Sequence, residues 1–425
     1  MDNSSKKFDY KWIIISLCFL MVFVCLGFCS SNKSLYTFAI TEALGISRSA
    51  FSVNDSFRYI TTAVINLFFG FLVSKLGTKK MICAGFVCLI IAVLLYSVAS
   101  SLIVFYIGGI FLGVGFSWTS TTMVGCVVNK WFSKNKGTIM GFVLAANGLG
   151  GALAVQIVSP LIYEEGNPFG YRNAYRLVAL ILVVVGLIMT LFLKENPDYI
   201  DTTETKADKK KSRGQSWVGI DFSDLIKKRY FYASLVCIFL TGLILQGISG
   251  VAAVHMKDVE LDSDYIATVL SVHSIAITVF KLLTGFIYDR IGLKATASFC
   301  SIAAIVSIGM LALLTNSSMG MALAMIYGII ASMALPLETI MLPIYVGDLF
   351  GQKSYNKILG LFVSVNVAGY AFGEPVFHAV FDLFGTYAPC FVFCSILMMV
   401  VLVAMNFVIN SAKRCRMVIE SEENQ

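Results

Sequence analysis

The sequence is dominated by long apolar stretches, each near or above the length that a helix needs to cross a lipid bilayer. A helix rises 1.5 Å per residue, so a hydrocarbon core of about 30 Å takes about 20 residues. Hydrophobic residues make up 58% of the 425-residue chain and charged residues only 13%, a balance outside the range of soluble domains. The pattern predicts twelve spans, at residues 12–35, 53–73, 81–100, 102–128, 137–162, 174–193, 231–255, 265–288, 294–315, 318–346, 357–380 and 386–409.

The positions of the basic residues predict the orientation of these spans. With the amino terminus inside the cell, 25 of the 32 Lys and Arg residues fall in cytoplasmic segments. Such an excess of basic residues is typical of loops that stay in the cytoplasm. We therefore expect a multi-pass protein of the inner (plasma) membrane, in contact with lipid, with both termini cytoplasmic. The net charge of +7 then needs no nucleic acid partner to explain it.

Motifs for enzymatic or metal chemistry are missing from the sequence. The eleven cysteines are scattered, without a Cys-x-x-Cys pair or a histidine at metal-ligand spacing, and we interpret them as small apolar residues. No Ser/His/Asp set, paired-carboxylate set, HExxH helix or phosphate-binding Gly-Lys-Ser/Thr loop is visible. We expect neither an enzyme nor an ATP-driven pump, and neither a cofactor nor a metal.

One long polar stretch divides the chain into two halves that share a repeat. Residues 194–230 cannot span a membrane or build a core, and they separate a six-span bundle at 1–193 from another at 231–425. At an offset of 215 residues, Gly70-Phe-Leu-Val-Ser-Lys-Leu-Gly77-Thr-Lys79 aligns with Gly285-Phe-Ile-Tyr-Asp289-Arg290-Ile-Gly292-Leu-Lys294. Both copies fall in the short turn after the second span of a half. Repeats of this kind are typical of secondary transporters.

The second copy of the repeat resembles the loop motif of the major facilitator superfamily, G-x-x-x-D-R-x-G-x-K. The resemblance implies an all-α membrane protein with twelve transmembrane helices in two pseudo-symmetric six-helix bundles. Glycines let helix ends approach closely, and an Asp at a helix end can pair with the amino terminus of a neighbouring helix and latch one conformation. The motif residues are therefore latch candidates, with Ser74 of the first copy replacing the usual Asp and predicting a weaker latch there.

Further stretches resemble one group within that superfamily. Lys130–Gly137 running into Gly141, and Asn147–Gly151, are similar to the region between the fourth and fifth helices of monocarboxylate transporters and bacterial oxalate:formate antiporters. The resemblance implies a secondary transporter that carries a small organic anion by alternating access. We expect it to act as a monomer, and leave open whether a proton is co-transported or a counter-anion is exchanged.

Two lysines within predicted spans carry the expectation of an anionic substrate. An ionisable side chain at the centre of a span costs about 2.5–3.5 kcal/mol on insertion scales, so it is retained mainly where it faces a cavity. Ser271, Ser274 and Thr278 precede Lys281 at helical spacing and predict a polar face around it. The resemblance implies that Lys281 stands where related carriers hold a substrate-binding Arg, and that Lys33 corresponds to a helix-1 lysine of the monocarboxylate transporters.

Each lysine also has an ordinary structural explanation. Lys33 could anchor its helix at the membrane interface, and Lys281 could form a structural ion pair with Glu338 or Glu374. Tyr36, which follows Lys33 by three residues, is predicted to add an aromatic wall to the substrate site, although single aromatic residues in spans usually serve packing.

Coupling residues are harder to place. Arg58 has His273 as its mate at the 215-residue offset, which suggests a gate, while an Arg at the headgroup level and a structural His are the ordinary alternatives. The monocarboxylate transporters hold an Asp four residues before the helix-8 cation, where this chain has Ile277. Glu338, Glu374 and His273 therefore remain the coupling candidates.

The eleventh span differs from the oxalate carriers, which hold a cation there. No Lys or Arg lies between Lys357 and Lys413, so a dedicated oxalate exchanger is not expected. Asn366, Tyr370 and Glu374 follow one another at a spacing of four and would approach the cavity from one helix face.

Two other functions remain open on the same fold. One is a multidrug or neutral-solute exporter, since a fold does not determine its substrate; it would be expected to have a cavity dominated by carboxylates. The other is a membrane receptor that binds a solute without transporting it, which would usually carry an added soluble domain.

Overall fold

The structure is a computed structural model that describes residues 10–30, 33–46, 48–132, 134–162, 164, 167–194 and 219–423, and in those ranges every regular element is a helix. Those before the long polar stretch are α1 (Tyr10–Cys29), α2 (Lys33–Leu44), α3 (Arg48–Leu67), α4 (Phe69–Leu76), α5 (Thr78–Val98), α6 (Leu102–Thr119), α7 (Thr121–Trp131), α8 (Lys136–Ile162) and α9 (Gly170–Phe192). Those after it are α10 (Phe222–Leu225), α11 (Arg229–Asp258), α12 (Ser263–Ala312), α13 (Ser318–Ala334), α14 (Pro336–Thr339), α15 (Met341–Phe350), α16 (Tyr355–Phe384) and α17 (Ala388–Glu423).

The described helices account for the twelve predicted spans. Ten stretches are long and apolar enough to cross a membrane, and the pair Val53–Leu67 and Phe69–Leu76, bent by 62°, adds an eleventh. The 50-residue α12 has a non-helical backbone at Gly292, and its length of about 75 Å exceeds twice the hydrocarbon thickness. Taken as two spans that meet at Gly292, it brings the number to twelve. The all-helical membrane fold is therefore confirmed.

Several predicted spans have interrupted helices: the second is the bent pair α3 and α4, the fourth is divided into α6 and α7, and the first and tenth are interrupted as well. The first was predicted at 12–35, but α1 ends at Cys29 and α2 continues to Leu44, so the path is longer and broken. The tenth was predicted as one span at 318–346, whereas the structure divides it into α13, α14 and α15. Pro336 begins α14, and proline fits a first helical turn better than a helix interior because it lacks a backbone N–H.

The repeat predicted from the sequence has a matching backbone conformation. Gly77 has φ 78° and ψ 161°, and Gly292 has φ 81° and ψ 175°. This region of the backbone map is accessible essentially to glycine alone. The helices α3 and α12 also begin 215 residues apart, at Arg48 and Ser263. The two glycines therefore serve the same turn, and the positive φ explains their presence better than the close helix approach expected from the sequence.

The motif's first glycine, in contrast, does lie at a close approach in both copies. A Cβ added at Gly285 would overlap the carbonyl group of Gly137 on α8, and one added at Gly70 would lie 2.5 Å from the Lys357 Cα on α16. Each copy thus packs its helix against a helix of the other half. The two halves meet along α8 with α12, and along α3 and α4 with α16.

The end of the polar stretch packs against the second half. Residues 195–218 lie outside the described residues, but Ile220 and Leu225 are buried. The backbone N–H of Ile220 donates to the Phe350 carbonyl at 3.0 Å, and that of Phe222 donates to the Ser354 Oγ at 3.2 Å. This part of the predicted linker therefore belongs structurally to the α15–α16 turn.

We predict that Gly292→Ala lowers the apparent melting temperature of the purified protein, because an L side chain at this φ and ψ costs about 1–3 kcal/mol. Gly309→Ala is the matched control: Gly309 lies in the same helix with open space around its Cα, and alanine is about 1 kcal/mol better than glycine in a helix. Melting curves in detergent compare the two. Equal melting temperatures would contradict the conformational explanation.

Candidate functional site

Lys281 is buried where α12 packs against α8. Its side chain is 6% exposed, and a Cβ added at Gly141 of α8 would lie 2.5 Å from the Lys281 carbonyl oxygen. Within the described part of the chain, no hydrogen bond or ion pair joins its ammonium group to another residue. The structural ion pair with Glu338, considered from the sequence, is not formed. Lys281 is thus a buried cation that lacks a described counter-charge.

The polar face expected around Lys281 is only partly assembled. The Ser274 hydroxyl donates to the Leu270 carbonyl of its own helix at 2.9 Å and is exposed. Thr278 is half-buried, and its hydroxyl lies directly against Gly148 of α8. Thr278 therefore belongs to the α8–α12 contact, one turn from Lys281.

A second polar cluster lies inside the second half, where the tenth span is broken. Glu338 is 8% exposed, and its Oε2 accepts a hydrogen bond from the Tyr370 hydroxyl at 3.1 Å. Asn366 is buried beside it and donates to the Ile238 carbonyl at 3.2 Å. Glu338, Asn366 and Thr241 line a cavity of about 360 Å³. Asn366 and Tyr370 thus contact Glu338 and α11, and their place in the substrate site stays a prediction.

Arg58 is buried inside the first half. Its guanidinium pairs with Asp55 at 3.2 Å and lies over the Tyr59 ring, 4.4 Å from the centroid. Together with Asn54 and Tyr96, the ion pair lines a cavity of about 550 Å³. Asp55 was not singled out from the sequence, although its charge within a predicted span, three residues before Arg58, was the available signal.

Tyr36 lines the same cavity from α2. Its ring stacks on Tyr175 with centroids 4.1 Å apart, and its hydroxyl is buried without a hydrogen-bond partner among the described residues. Lys33 begins α2, so it lies at the interruption of the first span. The side chains of Lys33 and Glu374 are outside the described residues, and their predicted roles remain predictions.

His273 does not share the environment of its repeat mate. Its Nδ1 is 2.7 Å from the Gly328 carbonyl oxygen on α13, the kind of contact expected of a structural histidine, and it is half-buried. Arg58, in contrast, faces a cavity with an acidic partner. No contact among the described residues therefore supports the hypothesis that Arg58 and His273 form a paired gate.

The clusters of the two halves meet through two tyrosines that the sequence did not bring together. The ring of Tyr370 on α16 meets the ring of Tyr59 on α3 edge to face, with centroids 6.0 Å apart. Tyr370 also contacts Glu338, and Tyr59 also contacts Arg58. A continuous row of side chains therefore runs from Glu338 to Arg58 across the contact between halves.

The second copy of the repeat motif contacts the start of α8. The carboxylate of Asp289 accepts from the backbone N–H groups of Gly137 and Thr138, at 3.1 and 2.7 Å, and from the Thr138 hydroxyl at 2.5 Å. In the first copy, the Ser74 hydroxyl instead donates to the Phe71 carbonyl of its own helix at 2.9 Å. Only the carboxylate copy satisfies the free N–H groups of a helix in the other half.

The basic residues of the motif contact their own half. The Arg290 guanidinium lies over the Phe286 ring, 4.3 Å from its centroid, and the Lys294 Nζ donates to the Asn410 Oδ1 at 3.3 Å. Lys79, in the first copy, lies in the first turn of α5.

Further polar contacts join the halves at the end of the bundle that carries the motif turns, which we call the motif end. The Cys126 thiol donates to the Asn356 Oδ1 at 3.1 Å, and the Gln352 Nε2 donates to the Asn129 Oδ1 at 2.8 Å. The Tyr355 hydroxyl donates to the Gly125 carbonyl at 3.4 Å. The halves are thus in contact with each other at the motif end.

Comparisons with known proteins agree with this architecture. The Major Facilitator Superfamily model matches residues 17–337 and 234–414. The uncharacterized MFS-type transporter YcxA of Bacillus subtilis (strain 168) is 23% identical over 291 residues, 67% of this chain and 67% of that protein. Monocarboxylate transporter 13 of Bos taurus is 26% identical over 329 residues, 75% of this chain and 71% of that protein. The crystal structure of the transporter FucP in the outward conformation has a TM-score of 0.72 at 13% identity, covering 94% of this chain and 99% of that chain.

The family model and the shared fold cover both sides of the long polar stretch, and the described helices provide the expected spans. The chain is a multi-pass membrane protein that belongs to the Major Facilitator Superfamily of transporters.

Proposed function

We propose that the protein is a secondary transporter that carries a small organic anion across the membrane, with Lys281 as the cationic partner of the substrate. The observation that carries the proposal is the burial of Lys281 without a described counter-charge. Burying an unpaired charge costs several kcal/mol, and intramembrane cations of this kind mark substrate pathways. A carboxylate would supply the missing charge through a short, charge-assisted hydrogen bond.

The chemistry of lysine bears on the kind of anion that the site would hold. Gly141 and Gly148 let α8 pack directly against α12 at the Lys281 backbone and the Thr278 hydroxyl. A lysine offers a point charge on a flexible stem, whereas an arginine offers a rigid two-pronged fork for planar carboxylates. We favour a monocarboxylate-like anion because the resemblance and the name of monocarboxylate transporter 13 suggest that class.

Transport would proceed by alternating access of the halves 1–193 and 231–425, joined by residues 194–230. In the orientation that the basic residues predict, the motif end faces the cytoplasm. The contacts there, including those of Asp289 with the start of α8, would hold the cytoplasmic side closed while the opposite side admits substrate. Asp289 would then act as the latch of this state, and opening to the cytoplasm would require its release.

We predict that Lys281→Gln slows the exchange of labelled small carboxylates in proteoliposomes at least about tenfold. The loss of a hydrogen bond to a charged group, about 1.5–3 kcal/mol, corresponds to about 10- to 150-fold weaker binding. Lys281→Arg retains the charge and should keep measurable exchange. Lys257→Gln is the matched control, because Lys257 is an exposed lysine at the end of α11.

Wild-type exchange kinetics in a folded Lys281→Gln protein would refute the anion-site assignment. A protein that exchanges neutral solutes as well as carboxylates, and does so regardless of Lys281, would instead support the neutral-solute carrier considered from the sequence.

We also predict that Asp289→Ala exposes the first turn of α8. The substitution removes the acceptor of the Gly137 and Thr138 N–H groups. Loss of a helix cap costs about 1–2 kcal/mol, which corresponds to about 5- to 30-fold faster local exchange. Hydrogen–deuterium exchange of the peptide that contains these amides measures the change, and Ser74→Ala is the control because its hydroxyl bonds only within its own helix. Unchanged exchange in Asp289→Ala would exclude the latch.

A further inference from the structure

Glu338 occupies an unusual place for a carboxylate. It lies in the four-residue α14, between the interruptions that separate α13 from α15. The cavity beside it is otherwise mostly apolar, lined by residues such as Leu293, Leu337 and Met341.

The hydrogen bonds of Glu338 leave one oxygen unsatisfied. Oε2 accepts from the Tyr370 hydroxyl, but Oε1 is buried without a hydrogen-bond partner among the described residues. The described cavity lining comes from α11, α12, α14, α15, α16 and α17, and besides Glu338 its only titratable side chain is Tyr345, with Tyr370 adjacent. None of these groups carries a positive charge. Among the described residues, an ionised carboxylate here therefore has neutral donors, the Tyr370 hydroxyl and the Asn366 side chain beside it, but no counter-ion, whereas a proton on Oε1 would remove the buried charge.

The partner of Glu338 also belongs to the contact between the halves. Tyr370 lies on α16, which packs against α3 and α4, and its ring meets Tyr59. Tyr59 in turn lies under the guanidinium of Arg58, whose counter-ion is Asp55. A change in the hydrogen bond between Tyr370 and Glu338 would thus alter the contact of the Tyr370 ring with Tyr59, a side chain of the opposite half.

We infer that Glu338 is a proton-binding site, and that the Tyr370–Tyr59 contact transmits its protonation state across the α3–α16 contact between the halves. The inference deepens the proposed transport function by assigning its coupling ion. The step is the binding of one proton to the free Oε1, which converts the carboxylate to a neutral carboxyl group. A hydrogen bond to an ionised acceptor is about twice as strong as one to a neutral acceptor, so protonation loosens Tyr370 and with it the ring contact to Tyr59.

In this arrangement the anion and the proton would be held at separate places in the second half, at α12 and α14. Lys281 would pair with the negative charge of the substrate, and Glu338 would carry the proton. The anion and the proton together have no net charge, so each cycle would move no net charge across the membrane.

The first test needs no substrate. Difference infrared spectra of the purified protein between acidic and alkaline pH should show a protonated-carboxyl band that Glu338→Gln removes. Glu42→Gln is the matched control, since Glu42 is exposed, and it should keep the band. Persistence of the full band in Glu338→Gln would overturn the proton-site assignment.

The second test separates coupling from transport in proteoliposomes. Glu338→Gln resembles the protonated side chain, so it should keep carboxylate exchange at zero pH gradient and lose accumulation driven by a pH gradient. Accumulation like that of the wild type in Glu338→Gln would overturn the inference. A wild-type protein that exchanges carboxylates but never accumulates them under a pH gradient would also overturn it, while leaving the transport proposal intact. If the wild type exchanges no carboxylate, the transport proposal fails, and the infrared band alone decides the proton site.

The transmission step has its own variants. Tyr370→Phe removes a donor to the ionised carboxylate but keeps the ring, and should move the pH midpoint of driven transport to a higher value. Tyr345→Phe removes a hydroxyl at the same cavity and should leave the midpoint unchanged. Tyr59→Leu should keep the infrared band and lose driven accumulation. Retention of driven accumulation in Tyr59→Leu would exclude the tyrosine contact as the route.

Discussion

The close approach of α8 to α12 is the contact on which the rest of the arrangement depends. Lys281, Gly285 and Asp289 are spaced by four residues, so they share one face of α12. Because Gly137 and Gly141 have no side chains, the backbone of α8 lies directly against that face. The same contact therefore buries the lysine and brings the Asp289 carboxylate to the N–H groups at the start of α8. A bulky residue in place of either α8 glycine would push α8 away from both Lys281 and Asp289.

The second contact between the halves, where α3 and α4 meet α16, also places a glycine against a helix of the other half, but its polar groups differ. Gly70 packs on α16 as Gly285 packs on α8, but Ser74 offers no carboxylate to the other half. Farther along this contact, the Ser364 hydroxyl donates to the Ala63 carbonyl at 2.6 Å, and the two tyrosine rings meet. A hydroxyl and an aromatic edge hold less firmly than a capping carboxylate. This asymmetry suits a molecule in which one contact latches and the other responds to a proton.

The sequence predicted the elements well and their long-range partners poorly. Hydropathy and the 215-residue repeat depend on local pattern, and they predicted the spans and the matching turns at Gly77 and Gly292. The pairing of Tyr370 with Glu338 joins residues of separate helices that no periodicity connects. Helical spacing could have revealed the partner of Arg58, since Asp55 is three residues away. The proline at position 336 was also a sequence signal for the break in the tenth span, but the hydropathy of that span continues across it.

The central question for this protein is whether Lys281 binds an anion. Thermal unfolding of the purified wild type and of Lys281→Gln, each with a panel of monocarboxylates, dicarboxylates, amino acids and sugars, measures this without any transport assay, because a bound ligand stabilises the folded protein by mass action. If Lys281 binds the substrate anion, small carboxylates will raise the melting temperature of the wild type but not that of Lys281→Gln, and sugars will raise the melting temperature of neither protein. Equal stabilisation of both proteins by carboxylates, or equal stabilisation of the wild type by neutral solutes, would contradict anion binding at Lys281.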